Sequence, residues 1–259
     1  MGQPDPAPRM SKRAFLLGAA AGGGGGTAAG RWLVPRLPDP PPPEPNHQKS
    51  YSQCGEDLIA WYMLRELDVK YPTYLDVGAH HPTEINNTYL FYTLGFRGLL
   101  VEPNVDMIPL LTGARPDDTV LNVGIGPVTT EADYFRVTDP SWNTFDKDTA
   151  EHYEVVTKGA VKVVQVVKVP LVNVNEILAK HHGGRTPDYV SLDVEGLELD
   201  ILRSLDWEKH RPKVVCVETL VAGTRRQKLE AANFLVGKGY VARGSTFVNT
   251  VFLDGKEIK

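Results

Sequence analysis

The chain has 259 residues, with 28 Lys and Arg against 32 Asp and Glu and a formal net charge of −4. That balance lacks the basic footprint of nucleic-acid binding, so no nucleic-acid partner is expected. Two cysteines, Cys54 and Cys216, make no disulfide framework and read as free thiols, and the chain lacks CxxC and HExxH, which leaves no zinc motif.

Residues 1–48 read as a low-complexity segment apart from a domain over 49–259. Ser11-Lys12-Arg13 leads into a weakly apolar Ala/Gly stretch that reaches Gly30, and a proline-rich run from Pro38 to Pro45 follows. The basic start and soft apolar middle are similar to a twin-arginine export signal. Lys12 stands where the first arginine would be, and Thr27-Ala28-Ala29 is no A-x-A cleavage site. Five consecutive glycines, Gly22 to Gly26, also suit a membrane helix poorly. Two readings stand: a signal or membrane tether through residues 14–34, or a bland extension with translation starting at Met10. In both, the proline run is an extended spacer. The protein is accordingly expected in the cytoplasm or at the membrane, with export as the alternative.

Glu56 to Glu66 carries Leu58, Ile59, Trp61, Tyr62, Met63 and Leu64 at helical spacing. Tyr74–Val77 and Gly98–Val101 are short apolar runs that predict buried strands. Thr83–Leu94, closed by Gly95, and Val105–Ala114 predict the helices after them. Thr119–Val123 is a third strand. The middle is less regular, with strands predicted at Ala132–Val137 and Val161–Val169. Then come a helix over Val174–His182, a strand over Tyr189–Asp193 and a helix over Leu197–Leu205. A strand over Lys213–Glu218 and a helix over Thr224–Lys238 follow. Tyr240–Arg243 and Thr246–Leu253 alternate around Gly244-Ser245, which predicts an antiparallel hairpin. The expected fold is α/β, Rossmann-like: a mostly parallel, doubly wound sheet closed by that C-terminal hairpin.

Ligands of such sheets bind outside the carboxyl ends of the strands. Asp76, Glu102, Asp193 and Glu218 all fall there, and four carboxylates on one rim need partners. A cationic ligand with hydroxyl and amino donors supplies them. Gly78 lets the chain pass close to a ligand. Glu102 lies 24 residues (102 − 78) after Gly78, near the spacing at which an acidic side chain holds a ribose diol. Ala79-His80-His81 after Gly78 breaks the GxGxxG fingerprint. That argues against a pyrophosphate-bearing dinucleotide.

Several spaced segments carry a family resemblance: Tyr51-Ser52-Gln53-Cys54-Gly55-Glu56-Asp57, Leu75-Asp76-Val77-Gly78-Ala79-His80 with Asn86-Asn87-Thr88, Glu102-Pro103-Asn104, and Ser191 to Glu198. In these the chain resembles the FkbM-type methyltransferases, which use S-adenosylmethionine and have the class I methyltransferase fold. The resemblance implies that Asp76 and Gly78 hold the methionine end of that cofactor. It implies that Glu102 takes the ribose hydroxyls with Asn104 beside it, and that Asn122 and Val123 line the adenine. Asp193 and Glu195 then face the methyl group and its acceptor, a hydroxyl of a sugar, another small molecule or a glycan. His81-Pro82 departs from the family, where an Asp commonly follows the histidine.

Transfer to a hydroxyl needs collinear alignment and a base within reach of the acceptor proton. Asp193 is the first candidate base and His80 the second. Carboxylates at Asp193 and Glu218 suit magnesium, but no metal is assigned. The alternatives are an NAD(P)-dependent oxidoreductase, which NAD binding would reveal, and a non-catalytic exported binding protein of the same fold, which fractionation outside the membrane would favour. The acceptor, the oligomeric state and the nature of the N-terminus are not fixed by the sequence.

Overall fold

The computed structural model describes residues 48–258. The signal or tether expected over residues 14–34 lies outside them. Among the described residues no helix is long and apolar enough to cross a membrane.

Seven strands form the main sheet. These are β1 (Tyr74–Val77), β2 (Gly98–Val101), β3 (Thr119–Leu121), β7 (Tyr189–Leu192), β8 (Val214–Glu218), β9 (Tyr240–Ser245) and β10 (Asn249–Asp254). Their order is β3-β2-β1-β7-β8-β10-β9. β10 runs antiparallel to β8 and to β9, and the other pairs are parallel. This is the mostly parallel sheet with a closing antiparallel hairpin that the sequence predicts.

The side-chain period of two divides the core cleanly. Leu75, Val77, Leu99, Val101, Val190, Leu192, Val215, Val217 and Phe252 share one cluster with α5 (Val174–His181), α6 (Glu198–Ser204) and α7 (Glu230–Gly237). Tyr74, Leu100, Tyr189, Val214, Cys216, Val251 and Leu253 share the other with α1 (Glu56–Glu66), α2 (Tyr89–Thr93) and α3 (Ile108–Ala114). Counting on by two along this second face gives Asp76, Glu102, Ser191, Glu218 and, on the antiparallel strand, Asn249. The alternation that builds the core therefore delivers a polar row to one face of the rim. Pairing holds that row in register: Asp76 lies opposite Ser191, and Glu218 opposite Asn249.

Between β3 and α5 the chain leaves the main sheet. β4 (Gly124–Gly126), β5 (Thr130–Val137) and β6 (Val163–Asn173) form a second, three-stranded sheet, order β4-β6-β5. α4 (Lys147–Val156) follows β5 and is capped by the Asp146 side chain, which accepts the Thr149 N–H. Val137, Trp142, Tyr153, Val161 and Ala222 make a small core beneath it.

Two helices are shorter than predicted. The segment expected as a helix from Thr83 is irregular until Tyr89. Ile85 has φ 52°, and Asn86 and Thr88 turn their side chains inward. The helix expected from Thr224 begins at Glu230. Residues before it fold back on the end of β8 instead, with Val221 N–H bonded to Arg226 O and Lys228 N–H to Thr219 O. The helix predicted over Val105–Ala114 opens as a 3-10 turn over Val105–Met107.

Candidate functional site

The rim is tightest at Gly78. It has φ 82°, and a Cβ there would stand 2.0 Å from the Asp193 backbone oxygen. Its N–H and that of Ala79 both go to Val101 O, while Asp193 N–H goes to Val77 O. Three strand ends, β1, β2 and β7, are thus drawn together around one residue without a side chain.

Glu102 stands at the end of β2, buried. One of its carboxylate oxygens accepts the His80 N–H at 2.8 Å, the other the Asn104 N–H at 2.7 Å. A carboxylate has about four acceptor sites, so these two bonds do not exhaust it. His80 has φ 45°, a costly conformation for a residue with a side chain, held by that bond to Glu102. Asn104 is also buried; its Oδ1 accepts the Asp106 N–H, and its Nδ2 has no hydrogen-bond partner. An orphaned donor beside a fixed carboxylate is what a ribose-bearing ligand satisfies. Together with the side-chain-free turn at Gly78, this donor set fits the nucleoside end of S-adenosylmethionine.

Asp76 is fully covered. Its Oδ2 accepts Thr88 Oγ1–H at 2.7 Å and Asn86 Nδ2–H at 3.3 Å. Burial pushes its carboxyl above the usual carboxylate range, and the nearby Arg115 and the two hydrogen bonds pull it back. Asn122 lies at the exposed edge, its amide donating to Glu102 O and Pro103 O, so it braces the β2 turn. Val123 packs partly buried against the core.

Asp193, Glu195 and Glu218 converge. Their carboxylate oxygens lie within 4.8 Å of one another. Hard cations take such oxygens; here Lys228 Nζ already stands 3.0 Å from Glu218 and 3.1 Å from Glu198. Asp193 is half-buried and does not cap α6, whose N-cap residue is Leu197. Glu195 is buried in a left-handed turn with φ 54°, next to Gly196 at φ 120°. The inserted region holds that turn: Tyr153 of α4 donates to the Glu195 carboxylate, and Thr144 Oγ1–H donates to Glu195 O at 2.8 Å. Burial and the Glu195 charge push the Tyr153 hydroxyl far above its usual range. On β5, burial, with the Glu102 charge adding to it, does the same to Tyr134. The insertion therefore walls the rim between Glu102 and Glu195.

The residues chosen from sequence are thus brought to one rim, with Asn122 and Val123 at its margin. Trp142, in the inserted region, is buried against Tyr153. His81 fills a local role: its Nδ1 accepts the N–H groups of Thr83 and Glu84, an acceptor duty an Asp would also perform. Tyr153, Thr144 and Arg115 were not legible as site residues. Arg115-Pro116-Asp117-Asp118 reads as a surface turn, and Tyr153 sits in a segment of weak periodicity.

A family profile described as Methyltransferase FkbM domain matches residues 76–241. Among curated proteins none matches the chain. Solved structures similar to it include a precorrin-6y C5,15-methyltransferase from Geobacter metallireducens, with 11% identity, 74% of this chain and 84% of that one covered, and a TM-score of 0.39. An O-methyltransferase from Bacillus cereus in complex with SAH has 9% identity, coverage of 81% and 84%, and a TM-score of 0.39. A putative O-methyltransferase from Klebsiella pneumoniae has 10% identity, coverage of 81% and 83%, and a TM-score of 0.40.

Proposed function

The chain belongs to the FkbM methyltransferase family and is an S-adenosylmethionine-dependent methyltransferase; we propose that its acceptor is a hydroxyl group on a sugar, another small molecule or a glycan. The observation that carries this reading is the meeting, across Gly78, of the Glu102–Asn104 pair with the Asp193 carboxylate. One side offers a nucleoside cradle, and the other offers a base at the edge of the same turn.

Bound S-adenosylmethionine supplies an electrophilic methyl group on a cationic sulfur. In our reading Asp76 and the Gly78 turn hold its methionine end, Glu102 and Asn104 its ribose, and Asn122 and Val123 flank its base. The methyl carbon would leave sulfur as it bonds to the acceptor oxygen, releasing S-adenosylhomocysteine, and Asp193 would take the acceptor hydroxyl's proton, with His80 as the second candidate. Glu195 orients the acceptor from the turn that Tyr153 and Thr144 hold. Much of the rate then comes from alignment, and a general base adds about 10²–10⁴-fold. We place catalysis in the cytoplasm, where the methyl donor is made, with residues 14–34 as a tether.

The test is methyl transfer from labelled S-adenosylmethionine to a panel of hydroxylated acceptors. Asp193→Asn is expected to cut turnover by about 100-fold or more while affinity for S-adenosylhomocysteine stays within about threefold. Unchanged turnover rejects Asp193 as base. Transfer to nitrogen or carbon acceptors alone rejects the hydroxyl assignment.

A further inference from the structure

Arg115 is fully buried, yet it lies in the loop after α3 and touches no group that the methyl-transfer chemistry uses directly. Each of its guanidinium nitrogens donates a hydrogen bond. Nε donates to Asp118 Oδ2 at 2.8 Å, one terminal nitrogen to Asn86 Oδ1 at 3.1 Å, and the other to Tyr74 Oη and Thr88 Oγ1, both at 3.0 Å. The rings of Tyr74, Tyr89 and Tyr92 surround it, with centroids 5.4 to 6.0 Å from its central carbon.

The groups it fixes all lead to the rim. Thr88 Oγ1 accepts from Arg115 and therefore points its own hydrogen at Asp76. Asn86 Oδ1 accepts from Arg115, so its Nδ2 faces Asp76 and the carbonyls of Ala79 and His81 in the glycine turn. One cation thus sets a hydroxyl rotor, an amide flip and the path of residues 79–81. It also stands near two buried carboxyl groups, pairing directly with Asp118 and opposing the effect of burial on Asp76.

We propose that Arg115 is a positioning residue of the cofactor site, holding Asn86, Thr88 and an ionised Asp76 for the cationic methionine end of S-adenosylmethionine. The proposal rests on the reading that places that end at Asp76. Without Arg115, the burial that already raises the Asp76 pKa acts with less opposition. Asp76 then takes up a proton more readily as pH falls, and affinity for the ammonium-bearing ligand falls with it. Of the groups facing Asp76, Tyr74, Tyr189 and Cys216 are held neutral by burial across this range. Asp118 also raises Asp76, and in the same substitution it loses its ion-pair partner while keeping the Tyr74 hydroxyl and the Gly98 N–H; Asp57 of α1, Glu56 and Asp193 are the further carboxylates acting on the neighbouring Tyr189 and Cys216.

The experiment is calorimetric titration of the full chain with S-adenosylhomocysteine at several pH values from 6 to 8. Wild type is expected to vary less than about twofold. Arg115→Met is expected to bind about tenfold more weakly at pH 8 and to lose about tenfold more by pH 6, and Arg115→Lys is expected to restore a flat profile. Arg115→Met/Asp118→Asn removes the buried pair as a unit. It serves where the single variant fails to fold, and it isolates Asp76 as the titrating group. A uniform loss of affinity at every pH, or none, overturns the proposal and leaves the functional reading standing. Wild type that does not bind at all overturns the reading beneath it.

Discussion

Gly78 and Glu102 show how much of the site rests on single residues. The turn at Gly78 needs a left-handed conformation and has no room for a methyl group, because the Asp193 oxygen occupies that space. Gly78→Ala is therefore expected to lower stability by about 1–3 kcal/mol and to abolish measurable S-adenosylhomocysteine binding. Urea unfolding and titration check this together, and a variant of wild-type stability and affinity would show that the turn is looser than described. These two residues were legible because their roles are local: a carboxylate at a strand end, and a glycine where the chain must turn. Arg115 was not. An arginine followed by Pro116-Asp117-Asp118 has the composition of a solvated turn, and its burial comes from three tyrosines and a threonine distant in sequence.

The strands of the main sheet were the most readable elements. β1 and β2 end where the apolar runs end, since a strand covered on both faces must be apolar nearly throughout. The helices were less so. Thr83 to Thr88 has helical-looking composition, but Asn86 and Thr88 bond into the Asp76 network, and tertiary hydrogen bonds outweigh a weak local propensity. α4 went unseen because only Ala150 and Tyr153 of its ten residues are buried. Its Asp146 cap was the available signal. This helix reaches the candidate site through Tyr153, which donates to Glu195. Tyr153→Phe is expected to cost about 1–2 kcal/mol of stability and to raise the acceptor KM while leaving S-adenosylhomocysteine affinity unchanged. Weakened cofactor binding with an unaltered acceptor KM would place α4 on the cofactor side instead.

Across the molecule, one periodicity does two jobs. The residues that pack α1, α2 and α3 onto the sheet continue, two positions on, into Asp76, Glu102, Ser191 and Glu218. Core and candidate site are parts of one alternating pattern, so the fold and the carboxylate rim could be read together. The acceptor side could not, because it depends on how the second sheet and α4 approach the rim, and short-range pattern says little about that. The proposed nucleoside cradle centres on Glu102, fixed by the backbone N–H groups of His80 and Asn104. The direct measurement is calorimetric titration of wild type and Glu102→Ala with S-adenosylhomocysteine at pH 7.5. Saturable binding to wild type is expected, with affinity at least about tenfold weaker for the variant. Equal affinities, or no wild-type binding at millimolar ligand, would contradict this.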